Sequence, residues 1–503
     1  MKHLFESIPL LGKLVFTNLD NQSLTNCKEV SRKLYESLDK ERLLWIRIIT
    51  NHKCNTTEYS KLWKKAVEKT PLENLKELAV AVDQFFKYST PNRHLSPREI
   101  NEAPRWFKAQ WSPHHIAAHA GNLKLYQCVV EKTAGINPSG SNKKTVLQFA
   151  SEYGQLNVCK FIMDGLVDKN PSDDNGDTPF HLAAACGHVE LCKLFLENGV
   201  DLNCTDKNGL GLLHAAASLG QLETYKIIMD SLQNKNPPDN EGNTPLHIAA
   251  TENDLELCRI IINNVDVKNP AENEGFTPLH AAASKGHLEV YKLLMRGLVN
   301  KNPGTNGGWT PLHIAATEDY YELCRIIINN VDDKNPADNE GYTPLHQAVY
   351  NCNLQICKLI FEDISDKNPG DRDGSTPLYL AALHGHLELC ELIASNIVNK
   401  CPADHQGFTP LHAAASKGRL EVYKLLMRGL VNKNPGTNGG RTPLHCAAEN
   451  NELTICRLIM ENVLDKYPAD NDGTTPLMWL NQMNMKDYFL IFLMVILMIY
   501  FEQ

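Results

Sequence analysis

Residues 310–341 read TPLHIAATEDYYELCRIIINNVDDKNPADNEG, and their apolar and polar positions divide into two helical runs and a break. TPLHIAATED predicts a short first helix. Thr310 is a good N-cap, and Pro311 suits the first helical position, where its missing N–H would have no partner anyway. The small residues that follow let neighbouring helices approach closely. YYELCRIIINN predicts a second helix with Leu323, Ile326 and Ile327 on one stripe. VDDKNPADNEG then ends it with Asn, Pro, Asp and Gly. Such a unit cannot bury its own apolar face, so it must stack on further units to make a core.

The rest of the chain supplies them. Thr178, Thr244, Thr277, Thr310, Thr343, Thr376, Thr409, Thr442 and Thr475 are each followed by Pro and fall on one 33-residue grid. The grid also passes through Ser112, Thr145 and Gly211, giving twelve starts without a slip. Phe276–Gly308 returns as Phe408–Gly440 with one change, His287 to Arg419, four periods later. Duplication in whole periods keeps a stack in register, so the copied segment reads as scaffold. The period and the TPLH motif together resemble the ankyrin repeat, over about 112–475. That resemblance implies an all-α solenoid of helix–turn–helix units joined by hairpin-like loops, whose first helices and loop tips line a concave protein-binding face.

One part departs from the family. Its usual exit from the second helix survives only as GVDLN, 199–203; elsewhere Pro recurs at 138, 171, 237, 270, 303, 336, 369, 402, 435 and 468. Proline pushes the residue before it towards an extended conformation, so these loops should form but be stiffened.

Candidate chemistry is sparse. His115, His181, His214, His247, His280, His313, His346, His412 and His445 share the fourth repeat position. The resemblance implies that this histidine braces the Thr cap, and the repeat supplies no nucleophile or acid beside it. Cys159, Cys192, Cys258, Cys324, Cys357, Cys390 and Cys456 share a position in the second helix that elsewhere holds Tyr225, Tyr291 or Tyr423. A site that accepts either residue is a packing site, and no Cys-x-x-Cys pair offers zinc close ligands. No phosphate loop is present, and the Gly pairs at 307–308 and 439–440 are turn residues. The reading is a non-enzyme with no cofactor and no metal.

Binding of protein is the remaining use. The residue before the cap is aromatic at Phe276, Trp309, Tyr342 and Phe408, and basic at Arg441. Aromatic and Arg side chains are favoured interface anchors; the alternative is that each packs on its neighbouring loop. Lys285, Glu318, Tyr350, His384, Lys417 and Glu449 are variable polar positions expected on the concave side. Of the two near-copies, His287 against Arg419 is a place where partners could be told apart.

Charge is uneven across the 503 residues. Residues 1–111 carry 19 Lys and Arg against 13 Asp and Glu, whereas the remainder carries 31 against 46. An acidic repeat region is a poor ligand for phosphate backbones, which excludes nucleic acid as its partner. MKHLFESIPLLGKLVF lacks a long apolar core and a small-residue cleavage site, so the 15 cysteines read as reduced thiols of the cytosol or nucleus.

Residues 1–111 lie off the grid. Within 7–45, Ile8-Pro9, then Leu14, Val15, Phe16 and Leu19, then Leu24, then Val30-Ser31-Arg32 and finally Leu43-Leu44-Trp45 resemble an F-box. Two details depart from it: the Pro-to-Phe spacing is one residue short, and Leu34 stands where Trp is common. The resemblance implies that Ile8, Pro9, Leu14, Phe16, Leu19, Leu24 and Val30 dock on a Skp-type adaptor of a cullin ubiquitin ligase. The expected organisation is an F-box-like helical domain at 1–50, a helical connector at 51–111, eleven full repeats at 112–474, and an incomplete repeat with an apolar tail at 475–503. Residues 488–501 are 14 consecutive apolar residues, about 21 Å as a helix against a hydrocarbon core of about 30 Å. A partly buried last helix, a membrane-associating tail and a partner-binding helix all fit this run.

Overall fold

The computed structural model describes residues 113–480, apart from 120, 122, 132–134, 141 and 142. The adaptor-docking residues expected at 8–30 and the apolar run at 488–501 lie outside the described residues. The chain divides between Gln233 and Asn234 into two compact units. Each is a stack of paired antiparallel helices. Among the described residues there are no strands, only isolated bridges at Ser139–Thr145 and Thr205–Gly211.

One repeat explains the rest. Its first helix runs Pro311–Thr317 behind the cap Thr310, and its second runs Tyr321–Ile328. Leu312, Ala315 and Ala316 of the first helix and Leu323, Cys324, Ile327 and Ile328 of the second are buried. The buried stripe is therefore 323/324/327/328. Ile326, expected on it, is only half-buried, because a helix packed against both its partner and the neighbouring repeat is covered along adjacent i, i+1 positions. The opposite face is solvated and carries pairs such as Glu322–Arg325 and Glu289–Lys292, exposed contacts that add little stability. First helices pack on first helices of adjacent repeats within each unit, as do second helices. Their contact faces are Ala-rich, for example Ala281, Ala282 and Ala283, each at most 4% exposed.

The cysteine position is a packing site. All seven cysteines are buried, and burial pushes the Cys159, Cys192, Cys258, Cys324, Cys390 and Cys456 thiols up to about 12. Where Tyr takes the place, its hydroxyl reaches a carbonyl ten residues on. Tyr291 donates to Lys301 and Tyr423 to Lys433, each at 2.7 Å.

The loops stack without forming β-hairpins. Most tips are closed by one acidic side chain, as where Asp338 accepts from the N–H groups of Glu340 and Tyr342 at 2.9 and 2.8 Å, and Thr305 and Thr437 hold that place in two others. Successive tips are joined by a backbone bond of 2.9 Å, as from Asn339 N–H to the Gly307 carbonyl. The Asn339 amide adds a bond to the Asn306 carbonyl at 2.8 Å. Gly308 is a turn residue, as read from the sequence. Its φ is +85°, and an added Cβ would stand 2.8 Å from the Asn339 nitrogen.

Candidate protein-binding edge

The tips and the ends of the first helices are held by an almost complete pairing of the helix N-terminal N–H groups. Those groups have no partner within the helix, so each needs one outside it. Pro at the first position has no N–H. The second N–H, from Leu or Phe, is taken by the Asn that precedes the loop proline ten residues earlier, at 2.8–3.2 Å in eight repeats. Leu312 to Asn302 and Leu345 to Asn335 are examples. The third N–H, from His, finds the Thr hydroxyl in several repeats, as at His181 and His313. The Asn role was missed in the sequence, although Asn recurs just before the loop proline in most repeats and that signal could have found it. At 401 a Cys replaces it, and its thiol faces Thr409 and the Leu411 backbone.

Histidine completes the brace. The cap N–H donates to its Nδ1 at 3.0–3.2 Å in eight repeats. Nε2 lies 3.0–3.3 Å from the carbonyl of the next tip residue, for His247, His280, His313, His346, His412 and His445. A backbone N–H can only donate and a carbonyl can only accept. Nδ1 is therefore bare, Nε2 carries the proton, and the ring is neutral. Burial holds His115, His280 and His412 down at about 4, and lowers His181, His313 and His346 in the same direction. In the repeat at Thr145, Gln148 does both jobs: its Oε1 accepts from the Thr145 N–H at 2.7 Å and its Nε2 donates to the Asp177 carbonyl at 2.7 Å.

The residues read as anchors project from this frame. Phe276, Trp309, Tyr342 and Phe408 each lean on the histidine of their own repeat, with centroids 5.0–5.8 Å apart. The packing partner is thus the repeat's own histidine. Phe276, Tyr342 and Phe408 are half-buried and Trp309 is the most exposed of the four. Lys285, Glu318 and Lys417 are exposed C-cap residues of first helices. Tyr350 is exposed and meets His384 at 4.8 Å, and His384 in turn stacks on His386 at 5.7 Å. Arg441 pairs with Glu449 and lies over the Trp479 ring at 5.8 Å, which ties two of the expected contact residues to each other.

The one difference between the near-copies also has a structural side. His287 Nε2 bonds the Thr251 carbonyl at 2.9 Å, and Arg419 Nε donates to the Leu383 carbonyl at 3.4 Å. Both side chains thus brace the end of the preceding first helix. Those preceding helices end differently, at Thr251 and at His384.

Among the described residues no group of three or more His, Cys, Asp or Glu side chains is placed to hold a metal ion, and no helix is long and apolar enough to cross a membrane. A shallow groove of about 500 Å³ lies between the Phe276 and Trp309 tips. No curated protein matches the chain. A family model described as ankyrin repeats in three copies matches residues 162–239, 213–303, 297–371, 362–435 and 428–494, well over half of the sequence. With the TPLH caps, the paired helices and the stacked tips, this places the chain in the ankyrin repeat family.

Proposed function

We propose that the chain is an adaptor, in which the repeats bind a target protein and residues 8–45 carry it to a Skp-type adaptor of a cullin ubiquitin ligase. Ankyrin repeats are protein-interaction modules, and that much follows from the family. The target-binding reading rests on one observation: the braces are nearly invariant between repeats, while the residues projecting from them differ. Phe276, Lys285, Trp309, Glu318, Tyr342, Tyr350, His384, Phe408 and Arg441 are the proposed contact positions. The ligase reading rests on the F-box-like spacing of Ile8, Pro9, Leu14, Phe16, Leu19, Leu24 and Val30. Such a device performs no bond chemistry; it raises the effective concentration of target lysines near the ubiquitin carrier.

The test is a pull-down of a Skp-type adaptor by the full chain and by Pro9→Ala/Leu14→Asp. Capture by the natural chain and loss in the variant is the expected result; no capture by the natural chain removes the ligase half. A second reading, an ankyrin scaffold held at a membrane, is favoured by the 14 apolar residues at 488–501. Fractionation of the full chain against residues 1–487 separates them, since membrane recovery confined to the full chain supports the tail anchor.

A further inference from the structure

We infer that the groove between Phe276 and Trp309 takes a lysine or arginine side chain from an extended basic segment of the protein partner. This rests on the protein-binding reading above and names the chemistry of one subsite. Phe276 and Trp309 form the walls, Ile314 and Asn243 contribute to the lining, and Glu272 and Glu274 line the acidic side. The backbone is held firm: the Glu274 carbonyl accepts from the Asn306 N–H at 2.9 Å, so the two tips cannot drift apart independently.

The carboxylates have different duties. Glu272 is spent on the turn, accepting from the Phe276 and Glu274 N–H groups at 2.7 and 3.0 Å. Glu274 is exposed, and among the described residues its carboxylate has no cation. Two neighbouring polar ends are taken. Glu340 pairs with Arg372 at 3.1 Å, and the Tyr342 hydroxyl bonds Asp371. The groove therefore combines aromatic rings, a free carboxylate and an open mouth, which matches a cation delivered on a long aliphatic stem.

The duplicated segment supplies an internal control. Phe408 repeats Phe276, but its own tip carries Gln406 in place of Glu274, and the following tip carries Arg441 in place of Trp309. The same 33 residues thus sit in an aromatic, acidic setting once and a neutral, basic setting once. A basic segment is attracted to the first and turned away by the second.

The experiment uses the full chain and labelled, capped peptides of five Ala-Arg, Ala-Lys or Ala-Glu pairs, read by fluorescence anisotropy. The Arg and Lys peptides should bind and the Glu peptide should not. Trp309→Ala should weaken binding about threefold to fivefold, as loss of an exposed cation–π contact does, and Glu274→Gln should weaken it about twofold to fivefold. Phe408→Ala should leave it unchanged. Equal binding by the basic peptides to the natural chain and to Trp309→Ala would mean general attraction to an acidic protein and overturns the subsite. So does a Phe408→Ala loss as large as that of Trp309→Ala. Circular dichroism melts establish that each variant is folded, and Glu274→Gln, a change at an exposed carboxylate, keeps the test open if Trp309→Ala is not. Failure of every basic peptide, with a partner still captured through the repeats, removes this subsite and leaves the protein-binding reading standing.

Discussion

The neutral histidine brace makes acid stability a direct test of the fold's internal logic. His280 and His412 are held at about 4 by burial, against an unfolded value of about 6.5. Well above pH 6.5 neither state binds a proton and the pair contributes no pH dependence. As pH falls below 6.5 the unfolded chain gains protons that the folded chain refuses, so stability is lost until about pH 4, where the folded rings also charge. At pH 5 the loss is about 2 kcal/mol for each ring, and about 4 kcal/mol for the two. The perturbation is His280→Gln/His412→Gln, which copies Gln148, a side chain that makes both brace bonds without titrating. Urea unfolding followed by circular dichroism at pH 7 and pH 5 measures it. The double variant should match the natural chain at pH 7 to within about 1 kcal/mol. On acidification it should lose about 4 kcal/mol less. If both proteins lose the same amount between pH 7 and pH 5, these imidazoles are not the neutral braces described.

Other consequences are local. Asn302→Ala strands the Leu312 N–H at a buried helix start and should cost about 1–3 kcal/mol, whereas Asn302→Asp, which keeps the acceptor, should cost less; urea titration compares them. Cys352 holds a φ of +61° where several repeats carry Gly, so Cys352→Gly should raise stability by about 1 kcal/mol, visible as a higher melting temperature. Gly286→Ala should do the reverse, because φ is +69° and the new Cβ would stand 2.9 Å from the Tyr320 ring. His287→Arg should be close to neutral, as Arg419 demonstrates a working alternative, while His287→Ala should lose about 1 kcal/mol of the inter-repeat bond.

Much of this protein is legible in its sequence. A period of 33 with Thr-Pro at each start is a local signal, because capping and helix initiation depend on residues three or four positions apart. The helices, their caps and the cysteine packing site follow from such short-range chemistry, and the histidine brace is what the family resemblance implies. The stripe was misplaced by one position at Ile326, because burial on the second helix is decided by two neighbours at once. The role of Asn302 and its equivalents escaped for a related reason: its partner lies ten residues on, across a loop whose path the sequence does not draw.

What the sequence determined alone is therefore the unit and its repetition, since both are written in residues that touch within one turn of helix. The structure decided which side chains are free to meet a partner. Arg441 and Trp309 occupy the same repeat position, yet one is drawn onto Glu449 and Trp479 and the other stands open beside Glu274. His287 and Arg419, which differ between the near-copies, bond the same carbonyl position. Apart from the Arg441–Glu449 pair, those outcomes depend on contacts 29 to 38 residues apart in the chain, brought within reach only when one repeat stacks on the next.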